Sequence, residues 1–357
     1  MSIGFDKRRR GSGAPRLGFL GTGWIGRDRL AAIRKAAAAE IAVVADESAE
    51  ALEAALAIAP EATTADSLSA MLAEGVDGVV IATPSALHAS QSIEALRAGV
   101  AVFCQKPLGR SSAEVDAVIA AADAADRLLG VDLSYRRTQA MQAVRRAIQS
   151  GELGRVFAAE LVFHNAYGPD KDWYYDRSRS GGGCLADLGV HMIDLALWAL
   201  DDPSVTVIDA HLVSRGRSGF ASAAVEDFAQ VLLRTSGDCL VTISCSWNLH
   251  AGQDAVIGAR FFGERGGASF SNVDGSFYDF RADLYQRTSS RVLFEGTDEW
   301  GGRTAVEWAR RLAVDPGYDP SVATIAATNR TIDTAYRLSG LDAANPEDAR
   351  SRMAAAR

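Results

Sequence analysis

Three ionisable side chains interrupt an otherwise apolar segment, residues 181–200, with the sequence GGGCLADLGVHMIDLALWAL. At 100° per residue of an α-helix, Asp187, His191 and Asp194 lie within a narrow arc of one face. The other residues are mostly Leu, Val, Met, Ile, Ala and Trp, which predicts a buried helix. The segment alone leaves three explanations open: hydrogen-bonded core residues, a metal site, or a general acid–base group that faces a cleft.

A lysine at the end of a predicted strand is the second candidate for chemistry. In VAVFCQKPLGRS, residues 100–111, Lys106 is followed by Pro107, which fixes its own φ and restricts the residue before it. The chain has 33 arginines but only four lysines, so a compact amine at this position is a candidate for a specific role. A solvated lysine at a turn is the alternative interpretation.

A glycine-rich turn, GTGWIG at residues 21–26, follows the apolar strand RLGFL and opens a predicted helix. This context predicts a dinucleotide site, because the glycines permit a tight turn and the helix N-terminus favours a pyrophosphate. Asp46, 20 residues after Gly26, is placed to bind the adenosine ribose. NAD is favoured over NADP, because Asp46-Glu47-Ser48 offers no basic side chain for a 2′-phosphate. The predicted cofactor contacts here are Gly21, Gly23, Trp24, Ile25, Gly26 and Asp46.

The elements that must position these residues fall into two groups. Residues 16–130 alternate short apolar strands with amphipathic helices, which predicts βαβ units and a doubly wound parallel sheet. Beyond about residue 135 the strands are longer, rich in β-branched and aromatic residues and separated by turns, which predicts a mostly antiparallel sheet in an α+β domain. The predicted organisation is a flexible tail (1–15), an NAD-binding Rossmann domain (16–134) and a substrate and oligomerisation domain (135–345), whose C-terminal helices are free to pack back on the first domain.

Composition narrows the function classes. A net charge of −8 and a pI near 5.3 argue against nucleic acid as the main partner. No membrane span is expected, because Asp194 interrupts the most apolar segment, and the basic N-terminal cluster lacks the apolar core of a secretory signal. Four cysteines without disulfide or metal spacing suit a reducing compartment, and the cytoplasm is the predicted location.

Taken together, four segments resemble the glucose–fructose oxidoreductase/inositol dehydrogenase/rhizopine-catabolism (Gfo/Idh/MocA) family. They are GTGWIG, IATPSALHASQSIEALRAGVAVFCQKPL, GELGRV and SGGGCLADLGVHMIDLALW. The resemblance covers about Arg16 to Gly340. It implies a Rossmann domain, a C-terminal α/β domain with an open sheet that forms a homodimer or homotetramer, and an NAD(P)-dependent dehydrogenase of a sugar, cyclitol or derivative.

The resemblance also implies site residues. The family's catalytic lysine, aspartate and histidine fall on Lys106, Asp187 and His191. His191 suits a general acid–base that takes the hydroxyl proton, because an unperturbed imidazole titrates near neutrality, and Lys106 suits stabilisation of the developing alkoxide. Asp187 is expected to orient the imidazole or to accept a substrate hydroxyl, and Asp194 to be structural. One position departs from the family, because Gln105 replaces its usual glutamate and brings no charge beside Lys106.

Further contacts follow from position. Thr83, Pro84, Ser85 and His88 come after the strand VVIAT, so they are expected near the nicotinamide, together with Gln105 and Lys106, although packing or capping explains His88 equally well. Tyr135 and Arg136 open the second domain, where family members contact substrate, so both are expected in the substrate site beside Lys106, Asp187 and His191.

No metal is expected, because Cys184 is the only cysteine near His191 and Lys106 disfavours a cation. Two other functions stay open: a nucleotide-binding sensor without turnover, and a redox-neutral enzyme with tightly bound NAD.

Overall fold

The structure is a computed structural model that describes residues 13–341 except Ser222. Most of the predicted tail (residues 1–12) and the predicted end of the second domain (342–345) lie outside the described residues. The fold consists of two sheets, one of six strands and one of eight, and each has its own hydrophobic core.

The first sheet is parallel throughout, with the strand order β3-β2-β1-β4-β5-β6, as predicted for a doubly wound fold. Its elements are β1 (Arg16–Leu20), α1 (Trp24–Lys35), β2 (Glu40–Ala45), α2 (Ala49–Ile58), β3 (Thr63–Thr64), α3 (Leu68–Ala73), β4 (Gly78–Ile81), α4 (Ser85–Arg97), β5 (Ala101–Cys104), α5 (Ser112–Ala125) and β6 (Leu129–Val131). Strand order reverses between β1 and β4. Ligands of such sheets bind at this point, outside the carboxyl ends of the strands.

The turn between β1 and α1 requires glycine at two positions. Gly21 has a φ of +87°, and a Cβ there would lie 2.6 Å from the carbonyl carbon of Ala82. A Cβ on Gly26 would lie 2.1 Å from the carbonyl oxygen of Gly21. The sequence GTGWIG therefore brings the start of α1 against the ends of β1 and β4 in a way that larger residues cannot.

The second sheet has the order β14-β13-β12-β11-β7-β10-β9-β8 and is antiparallel except where β7 pairs with β10. Its strands are β7 (Val156–Asn165), β8 (Val205–Val213), β9 (Phe228–Thr235), β10 (Leu240–Ser246), β11 (Ala255–Gly263), β12 (Gly267–Asn272), β13 (Asp279–Gln286) and β14 (Ser289–Thr297). The helices are α6 (Gln139–Gln149), α7 (Arg177–Ser180), α8 (Val190–Leu200), α9 (Arg303–Val314) and α10 (Thr324–Leu338). The predicted large, mostly antiparallel sheet is confirmed.

Helices cover one face of this sheet, where α6, α8 and α10 pack against it. Helix α9 instead returns to the Rossmann domain, because its apolar residues Ala305, Trp308 and Leu312 belong to the core around β1, β4 and β5. The Trp308 ring packs on Phe103 of β5, with ring centroids 5.6 Å apart. The two parts of the chain are thus joined through the C-terminal helices as well as through the segment after β6.

The segment that was predicted as one regular α-helix is not uniform. Leu185–Gly189 form a π-helical turn, and the α-helix begins only at Val190. A π-turn holds more residues than an α-turn, so the start of this segment departs from the regular helix that the apolar pattern predicts. Residues 177–200 are long and apolar enough to cross a membrane, but 78% of the most apolar window is buried inside the protein.

A buried glutamate fixes the start of the π-turn. Glu226 accepts hydrogen bonds from the backbone N–H groups of Gly183 and Leu185, both at 3.0 Å, and from the Tyr336 hydroxyl at 2.7 Å. The backbone N–H groups at a helix start have no intrahelical partner, so the carboxylate supplies one. Burial raises the pKa of Glu226. This contact needs glycine at 183, because a Cβ there would lie 1.9 Å from the backbone oxygen of Glu226.

We therefore expect Gly183→Ala to destabilise the fold by about 1–3 kcal/mol, because the added methyl group forces the Glu226 backbone away. Urea unfolding measures this as a lower midpoint at an unchanged slope. Gly13→Ala is the matched control, since a Cβ on Gly13 meets nothing within 4 Å. Equal midpoints for the two variants would show that the turn at residues 181–183 tolerates a side chain.

Candidate active site

A cavity of about 1150 Å³ lies where the first sheet reverses its order and extends toward the second domain. Its lining includes most of the predicted site residues: Gly21, Gly23, Trp24, Ile25, Asp46, Thr83, Pro84, Ser85, His88, Gln105, Lys106 and Asp187. Gly26, Tyr135, Arg136 and His191 were also predicted for the site and are not part of this lining. The structure thus brings the glycine-rich turn, the Lys106 loop and the π-turn to one cavity.

The cofactor end of the cavity is built around Asp46. Its Oδ2 accepts a hydrogen bond from the Thr22 N–H at 2.5 Å, and its Oδ1 accepts one from the Ser48 N–H at 2.9 Å. A carboxylate has further acceptor capacity, so these bonds orient Asp46 without preventing it from binding ribose hydroxyls. The Trp24 indole is 71% exposed at the start of α1 and lines the same end. These residues fit an adenine dinucleotide.

Lys106 and Asp187 form the central polar contact of the cavity. The Lys106 ammonium donates to Asp187 Oδ1 at 2.5 Å and to the Asp187 backbone oxygen at 2.9 Å. An ammonium has three N–H bonds, so one remains for a ligand. Both side chains are mostly buried, with 18% and 14% exposure, which keeps solvent screening of this pair low.

The second oxygen of Asp187 has its own partner. Trp247, the residue directly after the end of β10, donates its indole N–H to Asp187 Oδ2 at 3.1 Å. Both carboxylate oxygens therefore bond to residues other than His191, and no hydrogen bond between described residues joins Asp187 to the imidazole. Of the two roles predicted for Asp187, contact with a substrate hydroxyl remains a prediction.

His191 lies behind this pair, among aromatic rings. Its imidazole packs edge-on against Tyr135, with ring centroids 5.0 Å apart, and lies 6.2 Å from the Phe163 ring. Within the described residues its ring nitrogens have no hydrogen-bond partner. Burial, and then the charges of Lys106 and Arg29, lower the pKa of His191 well below its ordinary value. The imidazole is therefore neutral at neutral pH.

Arg136 and Tyr135 are held by packing rather than presented to the cavity. Arg136 donates to Asp194 through Nε at 2.6 Å and through a second guanidinium nitrogen. This ion pair accounts for Asp194 in the interior and agrees with the structural role predicted for it. Tyr135 stacks near Trp300, with centroids 4.6 Å apart, and burial raises its pKa. The predicted substrate contacts of Tyr135 and Arg136 are therefore not supported by their positions.

Gln105 belongs to a buried polar cluster that the sequence did not reveal. Its amide donates to Asp132 Oδ2 at 2.5 Å, and the same carboxylate accepts from Arg29 Nε at 2.6 Å and from the Ser134 hydroxyl at 2.5 Å. Asp132 follows β6 at the carboxyl edge of the sheet, which is a positional signal for a site residue. The amide of Gln105 can donate to Asp132, whereas a glutamate there would place two carboxylates in contact.

His88 is buried between two loops of the cavity wall. Its Nδ1 lies 2.7 Å from the backbone oxygen of Pro107, and its Nε2 lies 2.7 Å from that of Thr83. Burial lowers its pKa. Both ring nitrogens of His88 face backbone carbonyl groups, so neither is free for the predicted contact with the cofactor.

The described residues, 13–341 without 222, contain no group of three or more His, Cys, Asp and Glu side chains that could hold a metal ion. Cys184 lies against another cysteine rather than against His191. Its sulfur is 4.0 Å from that of Cys245, and burial raises the pKa of the Cys184 thiol well above its ordinary value. Among the cavity residues, Asp46, Lys106 and Asp187 instead form hydrogen bonds or ion pairs within the protein.

Comparison with known proteins decides the family. Residues 16–133 match a family model described as an oxidoreductase family with an NAD-binding Rossmann fold, and residues 141–269 match the GFO/IDH/MocA C-terminal domain. The chain belongs to the GFO/IDH/MocA family. The first domain of this family member is thus an NAD-binding Rossmann domain, and the chain belongs to a family of NAD(P)-dependent oxidoreductases.

Relatives of this oxidoreductase include enzymes of sugars and cyclitols. An inositol 2-dehydrogenase from Acidiphilium cryptum is 32% identical over 71% of this chain and 73% of its own length. A 1,5-anhydro-D-fructose reductase from Ensifer adhaerens is 30% identical over 56% of this chain. A D-apiose dehydrogenase from Paraburkholderia graminis is 34% identical over 64%. The matched segments span 62% of that reductase and 59% of that apiose dehydrogenase.

Solved structures agree with the fold over nearly the whole chain. An oxidoreductase domain protein from Kribbella flavida has a TM-score of 0.79 at 23% identity and covers 92% of this chain and 97% of its own. A levoglucosan dehydrogenase bound to NADH and levoglucosan has a TM-score of 0.76 at 19% identity and covers 91% of this chain and 98% of its own. At these identities the likeness concerns the fold.

The acidic cofactor end predicts a preference for NADH over NADPH. Asp46 and Glu47 line the cavity where a 2′-phosphate would lie, and juxtaposed like charges cost several kcal/mol, so we expect NADPH to bind at least about tenfold more weakly. Fluorescence titration with NADH and with NADPH measures the ratio of the two dissociation constants. Asp46→Asn should narrow it, whereas Glu53→Gln, the matched loss of one exposed charge outside the cavity, should leave it unchanged. Equal affinities in the unmodified protein would contradict this assignment.

Proposed function

We propose that the protein is an NAD-dependent dehydrogenase that oxidises a secondary hydroxyl of a sugar, cyclitol or sugar derivative, or reduces the corresponding ketone. One observation carries this proposal: the Lys106 ammonium, fixed by two bonds to Asp187, lies in the wall of the cavity that also contains the glycine-rich turn. The sugar and cyclitol enzymes among the relatives support the substrate class.

In this proposal the Lys106 ammonium contacts the substrate oxygen. Bound NAD⁺ supplies the hydride acceptor for such a reaction. As the hydride leaves carbon, negative charge develops on the oxygen, and a fixed ammonium stabilises that charge. Lys106 is already oriented by Asp187, so little reorganisation is needed when the charge appears. Asp187, held by Trp247, is placed to accept a hydrogen bond from a neighbouring hydroxyl.

His191 is the proposed general acid–base. Its lowered pKa makes it a neutral base at neutral pH, and its ring nitrogens bond to no other described residue. In oxidation the imidazole accepts the hydroxyl proton, and in reduction the imidazolium returns it. The ring is nearly buried and lies close enough to Lys106 for that charge to lower its pKa, so the proposal requires a substrate hydroxyl that reaches both groups together.

Turnover with a panel of polyols and sugars tests the proposal through NADH formation. Oxidation of any member at a rate above the protein-free control would support a dehydrogenase. NAD binding without turnover of any member, in either direction, would favour the sensor instead. Cofactor that remains bound through gel filtration would favour the redox-neutral enzyme.

Two substitutions separate the proposed roles. We expect His191→Ala to lower kcat by about 10²- to 10⁴-fold, and Lys106→Met to lower it by about 10²- to 10³-fold, with NADH affinity retained in both. The base must be neutral to act, and the pKa of His191 is lowered, so kcat/KM for oxidation should stay level through neutrality and fall only below about pH 6.5. This acid limb should be absent in His191→Ala. Near-normal turnover in either variant would remove that residue from its role.

We also propose that the protein assembles into a homo-oligomer, a dimer or a tetramer, through the open face of its second sheet. A cross-strand row on this face joins Tyr285, Phe262, Ala158 and Leu240 through neighbouring strands. Three of these side chains are large, apolar and exposed in the single chain. A contiguous exposed apolar patch on a sheet is typical of an interface.

The oligomer proposal predicts the effect of a charge on this row. Phe262→Glu should convert the assembly to monomers, because it places an unpaired carboxylate in the centre of the apolar row. Light scattering after size-exclusion chromatography measures the mass. Val314→Glu is the matched control, since Val314 is 87% exposed at the end of α9 and lies away from the second sheet. A monomer in the unmodified protein, or an unchanged mass in Phe262→Glu, would contradict the proposal.

A further inference from the structure

His88 joins the two loops on which the proposed chemistry depends, and neither the mechanism nor the comparisons give it a role. It lies on α4 with 2% exposure. Its Nε2 contacts the Thr83 carbonyl oxygen and its Nδ1 contacts the Pro107 carbonyl oxygen, each at 2.7 Å. Contacts at this distance are at the short end of protein hydrogen bonds, so the ring is held from both sides.

The two carbonyl groups belong to different walls of the cavity. Thr83 follows β4 at the reversal of strand order, where the sheet faces a bound dinucleotide, and Pro107 directly follows Lys106. Pro84 and Pro107 have no backbone N–H, so at these positions the loops cannot cross-link through their own amides. The His88 ring supplies a link that the backbone cannot.

We propose that His88 is a positioning residue that sets the separation between the nicotinamide side of the cavity and the Lys106 ammonium. Its Nε2 holds the Thr83 loop, and its Nδ1 holds the Lys106–Pro107 segment. The importance of this separation for hydride transfer rests on the proposed function, whereas the two contacts themselves can be tested without any substrate.

Protonation decides how many of the contacts are hydrogen bonds. A neutral imidazole has one N–H, so both carbonyl groups receive a hydrogen bond only when the ring is protonated. Burial lowers the pKa of His88, the Lys106 ammonium acts in the same direction, and the two carbonyl groups and Glu114 oppose them. The link is therefore two-sided toward acid pH and one-sided above it. A side-chain amide, which does not titrate, can retain one contact at every pH.

Two amide variants separate the contacts. The amide nitrogen of asparagine occupies the place of Nδ1, and that of glutamine reaches the place of Nε2. His88→Asn thus keeps the bond to Pro107 and loses the one to Thr83, whereas His88→Gln keeps Thr83 and loses Pro107. Because each variant retains one partner and an amide donor, the pair is matched in polarity and differs in which loop is released.

Each loop has a readout that needs no substrate. Titration with NADH reports the Thr83 loop. The rate at which an amine reagent acylates Lys106, measured by mass spectrometry of the peptides, reports how firmly the Lys106–Pro107 segment is held. Lys35, whose side chain is 81% exposed, is the internal reference. Loss of one hydrogen bond is worth roughly a threefold to tenfold change. With both readouts taken on the acid side, where the protonated ring makes both bonds, we expect His88→Asn to weaken NADH binding by that factor with labelling of Lys106 unchanged. Under the same conditions we expect His88→Gln to accelerate labelling by that factor with NADH affinity unchanged.

The controls are His211→Asn and His211→Gln, which make the same chemical change at an exposed histidine on β8 and should alter neither readout. Equal effects of both His88 variants on both readouts would show that the ring only fills space, and would overturn the proposal. Unchanged readouts in both, or the reverse pattern, would overturn it as well. If the expected pattern is found while no sugar or polyol is oxidised, the proposed function fails and the positioning contacts stand.

Discussion

The ion pair between Lys106 and Asp187 is the contact on which the site depends, because it joins two separately packed cores across 81 positions of the chain. A mostly buried pair loses hydration on both sides and is stable only when further hydrogen bonds compensate. Those bonds are present: the Asp187 backbone oxygen accepts from the ammonium, and Trp247 donates to the other carboxylate oxygen. A shift of one core relative to the other would break both bonds of the ammonium, whereas the bond from Trp247 to Asp187 lies within the second domain.

Each member of the pair is supported from behind by a buried carboxylate. Behind the Lys106 loop, Asp132 accepts hydrogen bonds from Gln105 and Arg29, and behind the π-turn, Glu226 accepts from the backbone and from Tyr336. A buried carboxylate without such donors would be costly, so each cluster tolerates few arrangements of its neighbours. The position of the ammonium thus also depends on two buried carboxyl groups that the proposed reaction does not use.

The sequence pattern of neighbouring residues was sufficient to predict the Rossmann domain but not every strand of the second sheet. The alternation of apolar strands and helices and the glycine spacing were sufficient for the Rossmann domain, because each βαβ unit is contiguous in sequence. Local pattern does not define strands β12 to β14, because GASFSN, DFRADLYQ and SSRVLFEGT carry polar residues among their apolar ones and have no long apolar run. Asp132 and Trp247 were missed as partners because their contacts connect distant parts of the chain.

The π-turn beside the site is a feature that the sequence does not predict, because apolar periodicity does not distinguish one inserted residue from a regular α-helix. In a regular helix Asp187 and His191 would share a stripe, and a carboxylate beside the imidazole would favour its charged form and raise its pKa. In the structure the carboxylate is paired with Lys106 instead. Burial and the nearby cations Lys106 and Arg29 all lower the pKa of the imidazole. A neutral imidazole near a fixed ammonium suits proton removal from an alcohol, because the imidazole can accept the proton while the ammonium stabilises the alkoxide.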